Sequence, residues 1–377
     1  MSMGLFSIAA VSQHSVFAFN FLFFCLLAHL VLRLSHRFII FLRGFLDFLS
    51  FLRHNKKGPF GKELVLIYTV TLNPALDYVM HPLTLDMGFT NRSSSEELLC
   101  GGNGINVSTL LNELHVVNVA FGIAAGFTGD YLIKTLQDSG VSANFVRLDE
   151  GFTRINVKLN GIVMTMCNGM GPNISQDKVD ELLRRLECIA EGDTLILTGS
   201  IPKTLPEDIY DTIMHRLEGR GVRFVVDAPG ALLMKSLPAR PFLIKPNNHE
   251  VGRIFDAHPE TPEDCIPYAR QLHEQGAQNV IVSCGAHGSL LIDEHDEIHT
   301  CPTVKIQLEN ATGAGDSMVA GFVAKTQAGE DYESALRFAS ACGTATAASK
   351  GIATIDTITR VYKELEELIA SSAASEK

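Results

Sequence analysis

No C-x-x-C pair occurs among the eight cysteines of this 377-residue chain, which are scattered from Cys25 to Cys342. That excludes a compact thiolate zinc site and argues against a disulfide framework, leaving the pattern of a reduced, cytosolic protein. None of the thirteen histidines forms an H-E-x-x-H pair, so a zincin helix is excluded as well. The Walker A pattern G-x-x-x-x-G-K-[ST] is missing, which removes the P-loop route to a nucleotide. The net charge of −11 leaves no cation excess for a general nucleic-acid binder. There is no internal repeat, and no long linker follows Gly61.

What is present is apolar: 46% of the residues are hydrophobic, enough for one large domain or two smaller ones. Charge is unevenly spread. Residues 1–62 carry seven basic side chains against Asp47 alone, a net of +6, so the remainder carries −17. Val16 to Leu32 is an apolar run of 17 residues broken only by Asn20 and His29, the short end of a membrane span. Phe38, Phe41, Phe45 and Phe48 follow at helical spacing among basic residues, as in an interfacial helix. Two expectations stand for residues 1–65. Either residues 16–52 anchor the chain at the inner face of a membrane with its bulk in the cytoplasm, or the start is assigned too early. Twelve of the 22 phenylalanines fall in residues 1–60, and a complete domain begins near Leu66.

From Leu66 onward, strand-like and helix-like segments alternate. "LVLIYTV", "VVNVAFGIA", "DTLILTG", "VRFVVDA", "FLIKPN" and "NVIVSCG" are continuous apolar strands with helices between them. This implies an α/β fold whose mostly parallel sheet is covered on both faces. Two segments break the rhythm, 77–100 and 152–168. The second reads as a hairpin about Asn160-Gly161. Together they suggest a small β-sheet lid inserted in one domain spanning 66–370, with a tail over 371–377.

In such a sheet ligands bind beyond the carboxyl ends of the strands, and the informative residues sit there. "ATGAGDS" places Gly313, Ala314 and Gly315 before a helix, so free amides and the positive helix end meet. That suits the negative charge on a transferring phosphoryl group. Asp316 beside it could take a proton from an attacking hydroxyl, or simply cap the helix. Asn247 and Glu250 in "KPNNHE" could face one Mg²⁺ through its waters, or form a capping pair. "SCGAHG", with Gly285 and Gly288, permits a tight loop over a nucleotide, or a plain turn. "CGGNGINVS" offers Gly101, Gly102 and Gly104 before a helix bearing Asn106, room for a sugar phosphate. Asp77 could accept sugar hydroxyls, or belong to a turn after Pro74. Arg154 and Lys203 are cations suited to a substrate phosphate, or to an ordinary surface.

The ordered set "TVTLNPALDYV", "GGNGINVS", "TRINVK", "TGSIPKTLPEDIY", "FLIKPNNHE" and "ATGAGDSMVAGF" resembles the ribokinase-like, phosphofructokinase B type carbohydrate kinases. Within them it is similar to the bacterial 1-phosphofructokinases and tagatose-6-phosphate kinases. The likeness runs from about Leu66 to Leu368. It implies a three-layer sandwich with a β lid, ATP and Mg²⁺ as cofactors, a sugar-phosphate substrate, and a homodimer paired through the lid. Fructose 1-phosphate converted to fructose 1,6-bisphosphate is the leading expectation, with tagatose 6-phosphate as rival substrate. A sensor without catalysis, tethered to a membrane, is the alternative of another class. By position, Asp316 resembles the base, with Gly313, Ala314 and Gly315 forming the anion hole. Asn247 and Glu250 resemble the metal pair. Asp77, Gly101, Gly102, Asn103, Asn106, Arg154 and Lys203 match the substrate side. Lys245, Ser283, Gly285, Gly288 and Thr312 match the nucleotide side. Two departures stand out. Asn103 replaces the lysine of the relatives' "GGKGIN", and "VVDAPG" replaces "VVDTSG" while keeping Asp227.

Overall fold

The apolar strands expected from the sequence all form, and they form one sheet. The computed structural model describes residues 65–161 and 164–375. The apolar run 16–32 and the aromatic stripe after it lie outside the described residues. Among the described residues no helix is long and apolar enough to cross a membrane.

The chain begins with β1 (Ile67–Thr71), β2 (Ala75–Pro82), β3 (Ser93–Gly101) and α1 (Asn103–Glu113). Next come β4 (Asn118–Ala125), α2 (Gly126–Asp138), β5 (Ser142–Leu148), β6 (Arg154–Asn160) and β7 (Met164–Asn168). Then follow α3 (Gln176–Leu186), β8 (Thr194–Thr198), α4 (Ile209–Arg216), β9 (Arg223–Asp227), α5 (Gly230–Ser236) and β10 (Leu243–Ile244). The last part holds α6 (Asn248–Phe255), α7 (Pro262–Glu274), β11 (Asn279–Ser283), β12 (Ser289–Ile292) and β13 (Ile298–Cys301). It ends with α8 (Ala314–Ala328), α9 (Tyr332–Ala347) and α10 (Ile355–Ser375). That last helix carries the chain past residue 370, where the sequence suggests a tail.

The large sheet has nine strands in the order β13-β12-β11-β10-β9-β8-β1-β4-β5. Seven are joined by parallel pairing, and β12 alone runs the opposite way, pairing antiparallel with both β11 and β13 at one edge. Every residue of β1, β4 and β8 is buried, as expected where helices cover both faces. The antiparallel turn at the edge follows from chain length: β11 and β12 are joined by five residues, too few for a crossover.

A second sheet, β3-β2-β6-β7, is the lid. In it β2 and β6 are parallel, with Asp77 beside Asn156 and Val79 beside Lys158. The hairpin about Asn160-Gly161 forms, pairing Asn160 with Met164. All five residues of β7 are exposed.

One helix decides where the chemistry can sit. Residues Asp316 to Val323 of α8 are all buried, so this helix has no wet face and lies inside the molecule. Phe322 and Val323 are fully buried among Val107, Leu110, Leu243, Ala339 and Ile358. Each such side chain contributes roughly 1.5–3 kcal/mol. That packing fixes the amino end of α8 against α1, and puts a carboxylate, Asp316, where solvent does not reach.

Candidate active site

Two helix starts meet above the carboxyl ends of the central strands. The first is α8, with Gly313 as its N-cap residue at φ +84°, a backbone angle that disfavours any side chain. A Cβ at Gly315 would stand 2.8 Å from Lys245 Nζ, so a larger residue there would displace the lysine's tip. Ala314 N–H turns back to the Ala311 carbonyl at 3.3 Å. Of the four amides from Gly313 to Asp316, that of Ala314 is thus engaged within the loop. The second start is α1, capped by Gly102. Asn106, one turn into it, donates from Nδ2 to Asp316 Oδ2 at 2.8 Å.

Asp316 is not the N-cap of α8, which is Gly313, but the acidic residue of its first turn. Its Oδ1 is buried with no hydrogen-bond partner. A buried carboxylate oxygen left unsatisfied is costly, and such atoms call for an explanation. Burial pushes its carboxyl up to about 7, and the charge of Asp227 adds to the rise. The hydrogen bond from Asn106, the charge of Lys245 and the nearby Asn103 pull the other way. A proton acceptor poised near neutrality results.

Asp227 ends β9 and Lys245 follows β10. The register Ile244 to Val226 makes them neighbours, with Lys245 Nζ 3.5 Å from Asp227 Oδ1. Burial opposes the Lys245 charge, yet the carboxylates of Asp227, Asp316 and Glu250 outweigh it and hold the ammonium above its ordinary value. Burial, joined by the charge of Glu250, pushes Asp227 up.

Asn247 and Glu250 are brought together as a complete capping box on α6. Asn247 Oδ1 accepts from Glu250 N–H at 2.9 Å, and Glu250 Oε2 accepts from Asn247 N–H at 3.0 Å. The capping reading is therefore present. It leaves Glu250 Oε1 outside the box. Three carboxylates, Asp227, Glu250 and Asp316, converge on the single ammonium of Lys245. That surplus of negative charge and hard oxygen donors fits a divalent cation held through water. A second acidic group, Asp293 with Glu297 and His299, lies at the antiparallel edge. Its Asp293 oxygens are already taken by His299 and by the amides of His295 and Glu297.

On the lid side, Asp77 is buried and doubly held. Asn156 Nδ2 donates to its Oδ1 at 2.7 Å, and Lys158 Nζ lies 2.7 Å from its Oδ2. Gly101 packs directly on that carboxylate. Lys158 Nζ also reaches Thr312 Oγ1, at 3.5 Å, so the lid touches the loop that opens α8. Arg154 spends Nε on the Asn73 carbonyl at 3.2 Å and Nη1 on the Gly169 carbonyl at 3.3 Å. It braces the lid, leaving Nη2 for a ligand. Asn103 is exposed and lies against Gly199. Lys203 is exposed in the loop after β8 and makes no hydrogen bond with the other site residues. Ser283 forms a bridge to Asn247, and Gly285 opens the short turn closed by Gly288.

Sequence reasoning missed Asn156, Lys158 and Asp227 as members of this group. The first two were within reach: once Arg154 is placed on one face of a strand, Asn156 and Lys158 share it. Asp227 had no local signal toward Lys245, because the contact depends on β9 and β10 being neighbours. A separate cavity of about 310 Å³ lies at the amino-terminal edge of β9, lined by Leu217, Arg223, Arg240, Phe242 and Gln278. It contains none of these residues.

Comparison with known proteins agrees with this geometry. The pattern described as pfkB family carbohydrate kinase matches residues 70–359. A 1-phosphofructokinase of Bacillus subtilis is 40% identical over 301 residues, covering 80% of this chain and 99% of its own. A D-tagatose-1-phosphate kinase of Bacillus licheniformis is 31% identical, with coverage of 80% and 99%. Among solved structures, the phosphofructokinase-2 of Escherichia coli in complex with substrates and products superposes with a TM-score of 0.76. It is 26% identical, covering 80% of this chain and 100% of that one.

Proposed function

Because the chain belongs to the pfkB family of carbohydrate kinases, we propose that it transfers the terminal phosphoryl group of ATP to the 6-hydroxyl of fructose 1-phosphate. The product is fructose 1,6-bisphosphate. The observation that carries this reading is Asp316: a buried carboxylate, held through Oδ2 by Asn106, with Oδ1 unpartnered at the mouth of a helix. A sugar hydroxyl donating to Oδ1 would complete the missing hydrogen bond and give up its proton there as the phosphoryl group arrives. The free amides at the start of α8 and the ammonium of Lys245 meet the charge on that group. Asp77 accepts hydrogen bonds from the sugar, and lid closure excludes water. Glu250, with Asn247, would hold Mg²⁺, which neutralises the nucleotide phosphates when bound.

The substrate follows from the relatives. The two curated proteins compared above are both named for hexose 1-phosphates, fructose in one and tagatose in the other. The phosphate therefore belongs at carbon 1, away from the reacting hydroxyl, and tagatose 1-phosphate is the second reading. This also weakens tagatose 6-phosphate as a substrate. A sensor without catalysis has no use for a base raised to neutrality beside a lysine.

An ADP-release assay over fructose 1-phosphate, tagatose 1-phosphate, tagatose 6-phosphate and fructose 6-phosphate tests the assignment. The expected order of kcat/KM places fructose 1-phosphate first. A higher value with either 6-phosphate overturns it, and no turnover on any of the four restores the sensor. A second copy of the chain pairs through the lid on this reading, and the support is exposed apolar surface at Leu98, Met164 and Met166.

A further inference from the structure

Lys158 is a buried cation whose position exceeds what an ion pair needs. Its side chain is 9% exposed, and it comes from the lid strand β6 rather than from the main sheet. Burying an ion pair rarely adds stability over an apolar pair of similar size. The simple account, that Lys158 only neutralises Asp77, leaves its second contact unexplained. That contact, to Thr312 Oγ1, brings the ammonium to the residue just before the N-cap of α8. The same helix opening also meets Lys245, whose Nζ lies against Gly315. The opening of α8 thus meets two lysines, one from the main sheet and one from the lid. An ammonium has three N–H groups. Asp77 and Thr312 account for two of them.

We propose that Lys158 is a further catalytic residue, whose third N–H contacts the phosphoryl group in transit from the lid side, in addition to Lys245. Charge on a transferring phosphoryl group spreads over its three equatorial oxygens, so two cations stabilise it better than one. Because Lys158 rides on the lid, lid closure and delivery of this charge become one event. The inference rests on the kinase reading of the Asp316 site.

The test uses Lys158→Met, which keeps an apolar stem and removes the charge, beside Lys158→Arg. In steady state, Lys158→Met should lower kcat roughly 10²–10³-fold, as loss of one charge-stabilising donor does. KM for ATP should stay nearly unchanged, and Lys158→Arg should recover part of the loss. A binding measurement separates this role from a structural one. Wild-type protein with Mg²⁺ and ADP should gain thermal stability when aluminium fluoride is added as a mimic of the phosphoryl group. Lys158→Met should keep the response to ADP and lose the further gain. The double variant Asp77→Asn/Lys158→Met has no unpaired carboxylate, and it should lose the gain as well. A normal fluoride response in the single variant, or its return in the double variant, overturns the proposal. Absence of wild-type turnover on fructose 1-phosphate would sink the substrate assignment alone, since the fluoride arm reads the lysine without sugar.

Discussion

Asp316 is where burial, charge and hydrogen bonding act on one carboxyl. Unfolded, it would release its proton near 3.8; folded, it does so near 7. Only the ionised form can act as a base, so kcat/KM should fall as pH drops through about 7 and level off above it. A rate profile flat from pH 8 to 5 would remove the role. Between the two pKa values the folded state holds a proton that the unfolded state has lost. Stability from this group therefore decreases as pH rises, until the folded carboxyl ionises near 7. Asp316→Asn removes that cost. It should lower kcat roughly 10²–10⁴-fold while raising unfolding stability at pH 8 by roughly 1–3 kcal/mol. Denaturant titration of both proteins at pH 8 and pH 5 checks the second half, and the gain should shrink at the lower pH. A stabilised, inactive variant is the signature of a strained catalytic group. A variant that is merely unstable would speak for a packing role.

Among the elements, α6 and the lid carry roles that can be separated by substitution. Glu250→Gln keeps an acceptor for the Asn247 N–H and removes the charge. Unfolding stability should change by less than about 0.5 kcal/mol, while the Mg²⁺ concentration for half-maximal rate rises roughly tenfold or more. Asn247→Ala breaks the capping box instead and should cost about 1 kcal/mol. An unchanged Mg²⁺ requirement in Glu250→Gln would reduce the pair to a cap. For the lid, Met164→Asp with Met166→Asp places charge on exposed apolar positions of β7. Sedimentation is expected to report a dimer for the unmodified chain and a monomer for this variant. The elements also show what the sequence could and could not convey. The glycines before Asp316 and the apolar strands carry local physical signals: small residues where a lysine approaches, and branched runs where both faces are covered. The lid lysine was hidden by incomplete use of strand parity rather than by lack of signal. The pairing of Asp227 with Lys245 was hidden for a deeper reason. It depends on which strands become neighbours, and no local pattern in "VVDAPG" or "KPNNHE" specifies that.

At the scale of the whole molecule, order of strands turns separate motifs into one site. β1, β8, β9 and β10 lie side by side with their carboxyl ends together, and the lid hangs from the residues between β1 and α1 and between β5 and α3. All the proposed chemistry thus comes from residues 73–316, with α9 and α10 supplying the core behind α8. The compact unit begins at Val65. It contains the whole stretch that matches the pfkB family, residues 70–359. A unit with its own core should fold by itself. Residues 65–377 expressed alone should therefore give the same oligomer by sedimentation and a kcat within about a factor of two of the full chain. The comparison has a physical point, because residues 1–62 bring seven basic groups to a remainder of −17. If those cations assist the binding of anionic substrates, their removal should raise KM for ATP and for the sugar phosphate together, and most at low ionic strength. Equal KM values at 20 and 200 mM salt would show that the catalytic unit supplies its own electrostatics through Lys158, Lys245 and the helix starts. A shorter chain that aggregates or turns over at less than a tenth of the full-length rate would show instead that the unit beginning at Val65 does not suffice for folding and activity.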